Sequence, residues 1–114
     1  MYKLTEIQVL TGHEGQVWKA KWNPAGDRLL SCSGDKSIRL WAPLNPSLLK
    51  QINSIPFQKD SGWSCLLNLD NAHKRAIRSV CFEPTSGQVF ASASFDGTCA
   101  IWDQNYSKGS QILQ

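Results

Sequence analysis

Two sets of side chains have the types and order that could do chemistry. His13, Ser31, Asp35 and Trp41 recur as His73, Ser92, Asp96 and Trp102. Serine, histidine and aspartate together are the parts of a nucleophilic hydrolase, in which histidine takes the serine proton and aspartate orients the imidazole. Such a site needs one constellation and an oxyanion pocket, whereas this set occurs twice at corresponding places, each time with a tryptophan. A structural reading explains both copies, and the chemistry of the four types permits it. Indole only donates, hydroxyl donates and accepts, neutral imidazole does both through different nitrogens, and carboxylate only accepts, so the four join with no group unpaired. No catalytic residue is expected, and the chain is read as not an enzyme.

Cysteine is the other reactive type. Cys32, Cys65, Cys81 and Cys99 form no Cys-x-x-Cys pair, and thiolates far apart in sequence are weak candidates for zinc or an iron-sulfur cluster. Cys32, Cys81 and Cys99 fall within expected strands, where a small hydrophobe would serve, so core packing is expected for them, with Cys65 the least constrained. No metal ligand and no cofactor is assigned.

The elements that must position these residues belong to one small unit. The chain has 114 residues, 41% hydrophobic and 18% charged, with a formal net charge of +3. That charge is too small to imply nucleic acid or an anionic membrane as partner. Apolar runs are broken within a few residues, so neither a spanning segment nor a signal-peptide core is expected, and four unpaired thiols fit a reducing compartment. The expected location is the cytoplasm, with nuclear access.

The sequence repeats. The stretch Gly12 to Pro24 falls on Ala72 to Pro84 at an offset of 60, aligning His13 with His73, Val17 with Ile77, Trp22 with Phe82, and Pro24 with Pro84. After one extra residue near Thr85-Ser86-Gly87, Leu30 to Trp41 falls on Ala91 to Trp102 at an offset of 61. Each copy reads as short strands divided by turn chemistry: Val17 to Trp22, a turn at 23–27, Arg28 to Ser33, a turn at 34–36, then Ser37 to Trp41. Further strands are expected at Trp63 to Leu69 and Leu4 to Leu10, each just ahead of a histidine. Helical periodicity is absent throughout.

This pattern resembles the WD40 repeat, in which each unit is part of a four-stranded propeller blade plus the outer strand of its neighbour. Gly12-His13 is similar to the opening dipeptide and Trp102-Asp103 to the closing one; Ala72-His73 lacks the glycine and Trp41-Ala42 the aspartate. The resemblance implies an all-β fold of antiparallel four-stranded blades, about two of them, as an incomplete propeller. Residues 4–10 would be the outer strand of the closing blade, 12–41 and 63–69 the first blade with an insertion at 42–62, 72–103 most of the second, and 104–114 a tail. It also assigns His13, Ser31, Asp35 and Trp41, and His73, Ser92, Asp96 and Trp102, to the blade's structural hydrogen-bond tetrads.

The wording of several segments is closer still. Trp22-Asn23-Pro24-Ala25-Gly26, Leu30 to Asp35, Ile38 to Trp41, Ala72 to Val80 and Ser92 to Trp102 resemble the first two repeats of the WD-repeat component of cytosolic iron-sulfur protein assembly. The resemblance implies a non-catalytic scaffold that helps deliver clusters to cytosolic and nuclear apoproteins, with assembly targeting factors and apoproteins as partners. A WD40 adaptor of other purpose, such as a ubiquitin-ligase substrate receptor, is the alternative, because the repeat alone serves many functions. Two repeats of a ring that needs roughly 300 residues read as a fragment, which implies unmet surface and self-association. Trp18 and Arg78 occupy equivalent positions one residue after Val17 and Ile77, and are the side-chain types that dominate binding hot spots; with Arg75 they are the candidate partner-binding residues. In the insertion, Leu48-Leu49 and Ile55-Pro56-Phe57 form a weaker candidate patch.

Overall fold

A computed structural model describes residues 2–43 and 62–104. Seven strands account for the regular structure of these residues: β1 (Val17–Trp22), β2 (Leu29–Ser33), β3 (Ile38–Pro43), β4 (Trp63–Leu69), β5 (Ile77–Phe82), β6 (Val89–Ser94) and β7 (Cys99–Asp103). They form two antiparallel sheets, ordered β1-β2-β3-β4 and β5-β6-β7. These are a four-stranded and a three-stranded blade of an incomplete propeller, all-β as the repeat implies.

Turn chemistry sets the strand ends. Between β1 and β2, the Asn23 side-chain oxygen accepts the N–H groups of Asp27 and Arg28 at 2.9 and 3.0 Å, and Gly26 supplies a φ of +79°. This is the asparagine turn that the Asn-Pro-x-Gly-Asp string encodes. In the second blade Glu83 takes over. Its carboxylate accepts from the Thr85 hydroxyl and from the Ser86 N–H and hydroxyl, and these bonds lower its pKa to about 2. The two turns touch, since a Cβ on Gly87 would come within 3.1 Å of the Pro24 ring.

Side chains alternate across each strand, so each blade has two faces. Leu30, Cys32, Ile38 and Leu40 of the first blade meet Ile77, Val80, Phe90, Ala100 and Trp102 of the second in one buried cluster, with Leu69, Ala72 and Phe82 packed on its margin. Burial of each large apolar side chain here contributes about 1.5–3 kcal/mol. The phenyl ring of Phe90 stacks on Trp102 at 6.4 Å and meets Phe82 edge-on at 6.1 Å. A backbone hydrogen bond from Ala72 N–H to Lys36 C=O, 3.0 Å, ties the blades at the opposite end from the Pro24–Gly87 contact.

Several expectations need correction. Residues 4–10 are in no strand among the described residues, and the closing blade they would complete is not among them; the Gln8 side chain holds the Trp63 backbone, donating to its C=O at 3.0 Å and accepting its N–H at 3.1 Å. A strand needs an edge to pair with, and the two described sheets, β1-β2-β3-β4 and β5-β6-β7, do not include this segment. Among the cysteines only Cys32 is buried; Cys81 and Cys99, like Cys65, are exposed. The latter two lie on the face of the second blade that points away from the first, where no sheet covers them. Val17 and Ile101 are 55% and 44% exposed and Ala20 is exposed as well, so these apolar strand residues do not line the space between the blades. Of the insertion, Ala42 and Pro43 continue β3, and the patches at Leu48-Leu49 and Ile55-Pro56-Phe57 lie outside the described residues, as does the tail after Gln104.

Candidate functional site

The two repeated sets each assemble in space. In the first blade the Trp41 indole N–H donates to Ser31 Oγ at 2.9 Å, and Ser31 Oγ lies 2.7 Å from His13 Nε2. His13 Nδ1 lies 3.2 Å from Asp35 Oδ2 and 3.0 Å from Ser37 Oγ. The second blade repeats this: Trp102 to Ser92 at 2.9 Å, Ser92 to His73 Nε2 at 2.7 Å, and His73 Nδ1 to Thr98 Oγ1 at 3.1 Å and Asp96 Oδ2 at 3.4 Å. Indole can only donate and carboxylate can only accept, so the chain has one direction. Indole donates to hydroxyl, hydroxyl to Nε2, and the Nδ1 proton points to the aspartate and its neighbour.

Each aspartate is held ionised by the loop around it. Burial would raise the Asp35 carboxyl, but bonds from the Ser37 hydroxyl, the Glu14 and Ser37 N–H groups and His13 outweigh it, leaving the group well below the usual carboxylate range. The Thr98 hydroxyl, with the Lys74 and Thr98 N–H groups and the adjacent His73 ring, does the same for Asp96 against a smaller burial effect. Ser37 and Thr98 are therefore fifth members of the two networks, and were missed in the sequence. Their signal is legible afterwards: a hydroxyl residue two positions beyond each aspartate, the spacing at which a carboxylate accepts a downstream backbone N–H.

The positions of Ser31 and Ser92 within their blades define what these networks can do chemically. Both residues are buried, at 5% and 2% exposure, and each hydroxyl already bonds an indole and an imidazole. The arrangement locks the loop that enters β1 or β5 onto the hairpin that follows. Between the two hairpin turns, Lys36, Asn71, His73, Lys74, Asp96 and Thr98 line an open groove of about 820 Å³.

Trp18 and Arg78 sit at matching irregularities. The β1–β2 register steps from Val17↔Ser33 to Lys19↔Cys32, and β5–β6 from Ile77↔Ser94 to Ser79↔Ala93, so each residue is the extra one in a β-bulge. A bulge re-aims its side chain, and these two meet across the blades: the Arg78 guanidinium lies 5.6 Å from the Trp18 ring centroid. Phe95, half exposed, meets the same indole edge-on at 6.1 Å. Phe95 was also missed. It stands where the first copy has Gly34, and at Gly34 an added Cβ would already be 3.4 Å from the Trp18 indole nitrogen. Arg75 is exposed on the loop leading into β5. Trp18, Arg78 and Phe95 thus make one partly exposed aromatic and cationic cluster at the interblade rim.

Comparison with known proteins agrees with this architecture. The family model described as "WD domain, G-beta repeat" (WD40) matches residues 4–42 and 63–103. The chain belongs to the WD40-repeat family. Within that family it is 39% identical over 118 residues to "Protein CIA1" of Arabidopsis thaliana, covering 97% of this chain and 29% of the relative. It is 41% identical over 107 residues to "Probable cytosolic iron-sulfur protein assembly protein Ciao1" of Culex quinquefasciatus, covering 91% and 26%. A similarly named protein of Chlamydomonas reinhardtii is 40% identical over 78 residues, covering 68% and 19%. This WD40 chain spans under a third of the length of these relatives.

Proposed function

We propose that this WD40 chain is a non-catalytic protein-interaction scaffold in cytosolic iron-sulfur protein assembly, helping to deliver clusters to cytosolic and nuclear apoproteins. The reading is supported by 41% identity over 91% of the chain to a relative named for cytosolic iron-sulfur protein assembly, beside 39% identity over 97% of the chain to Protein CIA1. The reading places the protein in the cytoplasm with nuclear access, and gives it assembly targeting factors and apoproteins as partners rather than a cluster of its own.

The arrangement of side chains supports a binding role. Both Ser-His-Asp sets are duplicates whose hydroxyls already serve an indole, which suits a structural tetrad in each blade. Trp18 and Arg78, with Phe95 beside them and Arg75 nearby, are the contact residues proposed for a partner, because aromatic and arginine side chains dominate interface energetics. Affinity capture from cell extract, with the partners identified by mass spectrometry, tests this. Recovery of iron-sulfur assembly factors and apoproteins is expected; recovery of ubiquitin-ligase subunits in their place would overturn it in favour of a different WD40 adaptor.

A further inference from the structure

The arginines of the two blades differ in where their charge is directed. Arg28 donates to the Asp27 C=O at 2.9 Å and lies 3.8 Å from its carboxylate, and Arg39 donates to the Gly12 C=O at 3.1 Å. Arg78 reaches no acceptor among the described residues: its guanidinium lies over the Trp18 ring, which orders the side chain and leaves its N–H donors free. The carboxylates of the neighbouring loops are already occupied, since Asp35 accepts the N–H groups of Glu14 and Ser37, and Asp96 those of Lys74 and Thr98. Burial pushes the thiol of Cys32, opposite Lys19 in the β1–β2 ladder, up to about 11 against the Lys19 backbone and the charges of Arg78 and Lys19, so two cations face one buried position. The Phe95 N–H donates to the Ala76 C=O at 3.1 Å and the Ser94 hydroxyl to the same carbonyl at 2.9 Å, fastening the β6–β7 turn to the loop that carries Arg75. The rim between the blades thus presents Lys19, Arg75 and Arg78 beside the half-exposed rings of Trp18 and Phe95.

Resting on the reading of this rim as the contact surface, we propose that the Arg78 guanidinium seats a side-chain carboxylate, and that the partner docks through an acidic segment whose further carboxylates answer Arg75 and Lys19. A guanidinium with free donors receives a carboxylate through two parallel hydrogen bonds, and one already ordered by a ring has less freedom to lose on binding. A phosphate carries nearly two charges and is held by clusters of arginines, whereas here a single ordered guanidinium is flanked by rings, which matches one charge on an apolar stem. Nucleic acid calls for a longer cationic track than a chain of net charge +3 provides.

A labelled peptide rich in glutamate and leucine, its glutamine counterpart and its phosphoserine counterpart, each titrated with the 114-residue chain and followed by fluorescence anisotropy, test this. The glutamate peptide is expected to bind best, the glutamine peptide not to bind, and affinity to fall as salt rises. Compared at matched folded fraction, Arg78→Gln should weaken binding about tenfold, the effect of one charge-assisted hydrogen bond. Arg78→Lys, which keeps the charge without the fork, should lose less, and Arg28→Gln, at the opposite end of the blade, should bind as wild type does. Equal binding of the glutamate and glutamine peptides, equal losses for Arg78→Gln and Arg28→Gln, or a preference for the phosphoserine peptide would overturn the proposal. Capture from cell extract separates its failure from that of the rim. Partners lost with Arg78→Ala while the glutamate peptide binds no better than the glutamine one would keep the rim and remove the acidic partner; capture indifferent to Arg78→Ala would remove both.

Discussion

Trp18 and Arg78, sixty positions apart in the repeat, project from equivalent bulges in neighbouring blades and stack on each other, with 5.6 Å between guanidinium carbon and ring centroid. The pair joins the blades at the rim and is also the part of that rim richest in hot-spot chemistry. One pair of residues thus links the packing of the fold to its proposed interaction surface.

The contact is expected to be measurable by a double-mutant cycle. Trp18→Ala, Arg78→Ala and the double variant, compared by urea denaturation, should give a coupling energy of about 0.5–1 kcal/mol, the range for a partly exposed cation–π pair. Trp18→Ala should cost more than Arg78→Ala, because the indole also loses Phe95. Additive single effects would show that the two side chains are adjacent without being coupled.

The tetrads should behave as structure. Ser92→Ala leaves the Trp102 indole N–H and His73 Nε2 without their shared partner, each a buried polar group costing about 1–3 kcal/mol when unsatisfied. Trp102→Phe removes only the donor and should cost less, near 1 kcal/mol for a lost hydrogen bond, plus the loss of ring volume. Denaturation midpoints in the order wild type, Trp102→Phe, Ser92→Ala are expected, and an unchanged midpoint for Ser92→Ala would refute the structural role.

Acid should destabilise the fold through the two aspartates. Their native pKa values are depressed, so the unfolded chain binds protons first as pH falls. The stabilisation is fully present above the unfolded carboxylate value of about 3.9 and drains away as pH drops toward the depressed native one. Stability followed from pH 6 to pH 2 should decline, and Asp35→Asn should flatten the decline while lowering stability at neutral pH. An Asp35→Asn profile parallel to wild type would contradict the hydrogen-bond assignment.

The third turn position separates the two copies. Gly97 has a φ of +89° and its counterpart Lys36 a φ of +72°, and no atom lies within 4 Å of a Cβ built on Gly97. Gly97→Ala should therefore cost about 1 kcal/mol from backbone conformation alone. Lys36→Gly trades strain against chain entropy and should change stability by less than about 0.5 kcal/mol. Thermal or urea denaturation of both variants checks the pair.

Much of this was legible in the sequence, for reasons that differ by residue. Strand alternation and turn chemistry locate β1 to β7 within a residue or two, because those signals are local. His13, Ser31, Asp35 and Trp41 could be grouped because they recur, and the resemblance told what they join. Residues 4–10 carry the alternation of a strand, but a strand exists only where another edge accepts it, and local pattern does not show that edge. Cys81 and Cys99 failed for the same reason, since their burial depends on a neighbouring sheet. The bulges at Trp18 and Arg78 leave no mark in the residue types. Phe95 was overlooked because repeat alignment draws attention to matches, and its significance lies in a mismatch with Gly34.

The proposal that the chain works by protein contact at the interblade rim is tested by quantifying how much of the protein that wild type captures from cell extract is retained by Arg78→Ala, both at matched folded fraction. Loss of most of the captured partner, with the unfolding midpoint shifted by no more than the small cation–π contribution, is the predicted result. Undiminished capture by a folded Arg78→Ala chain would contradict it.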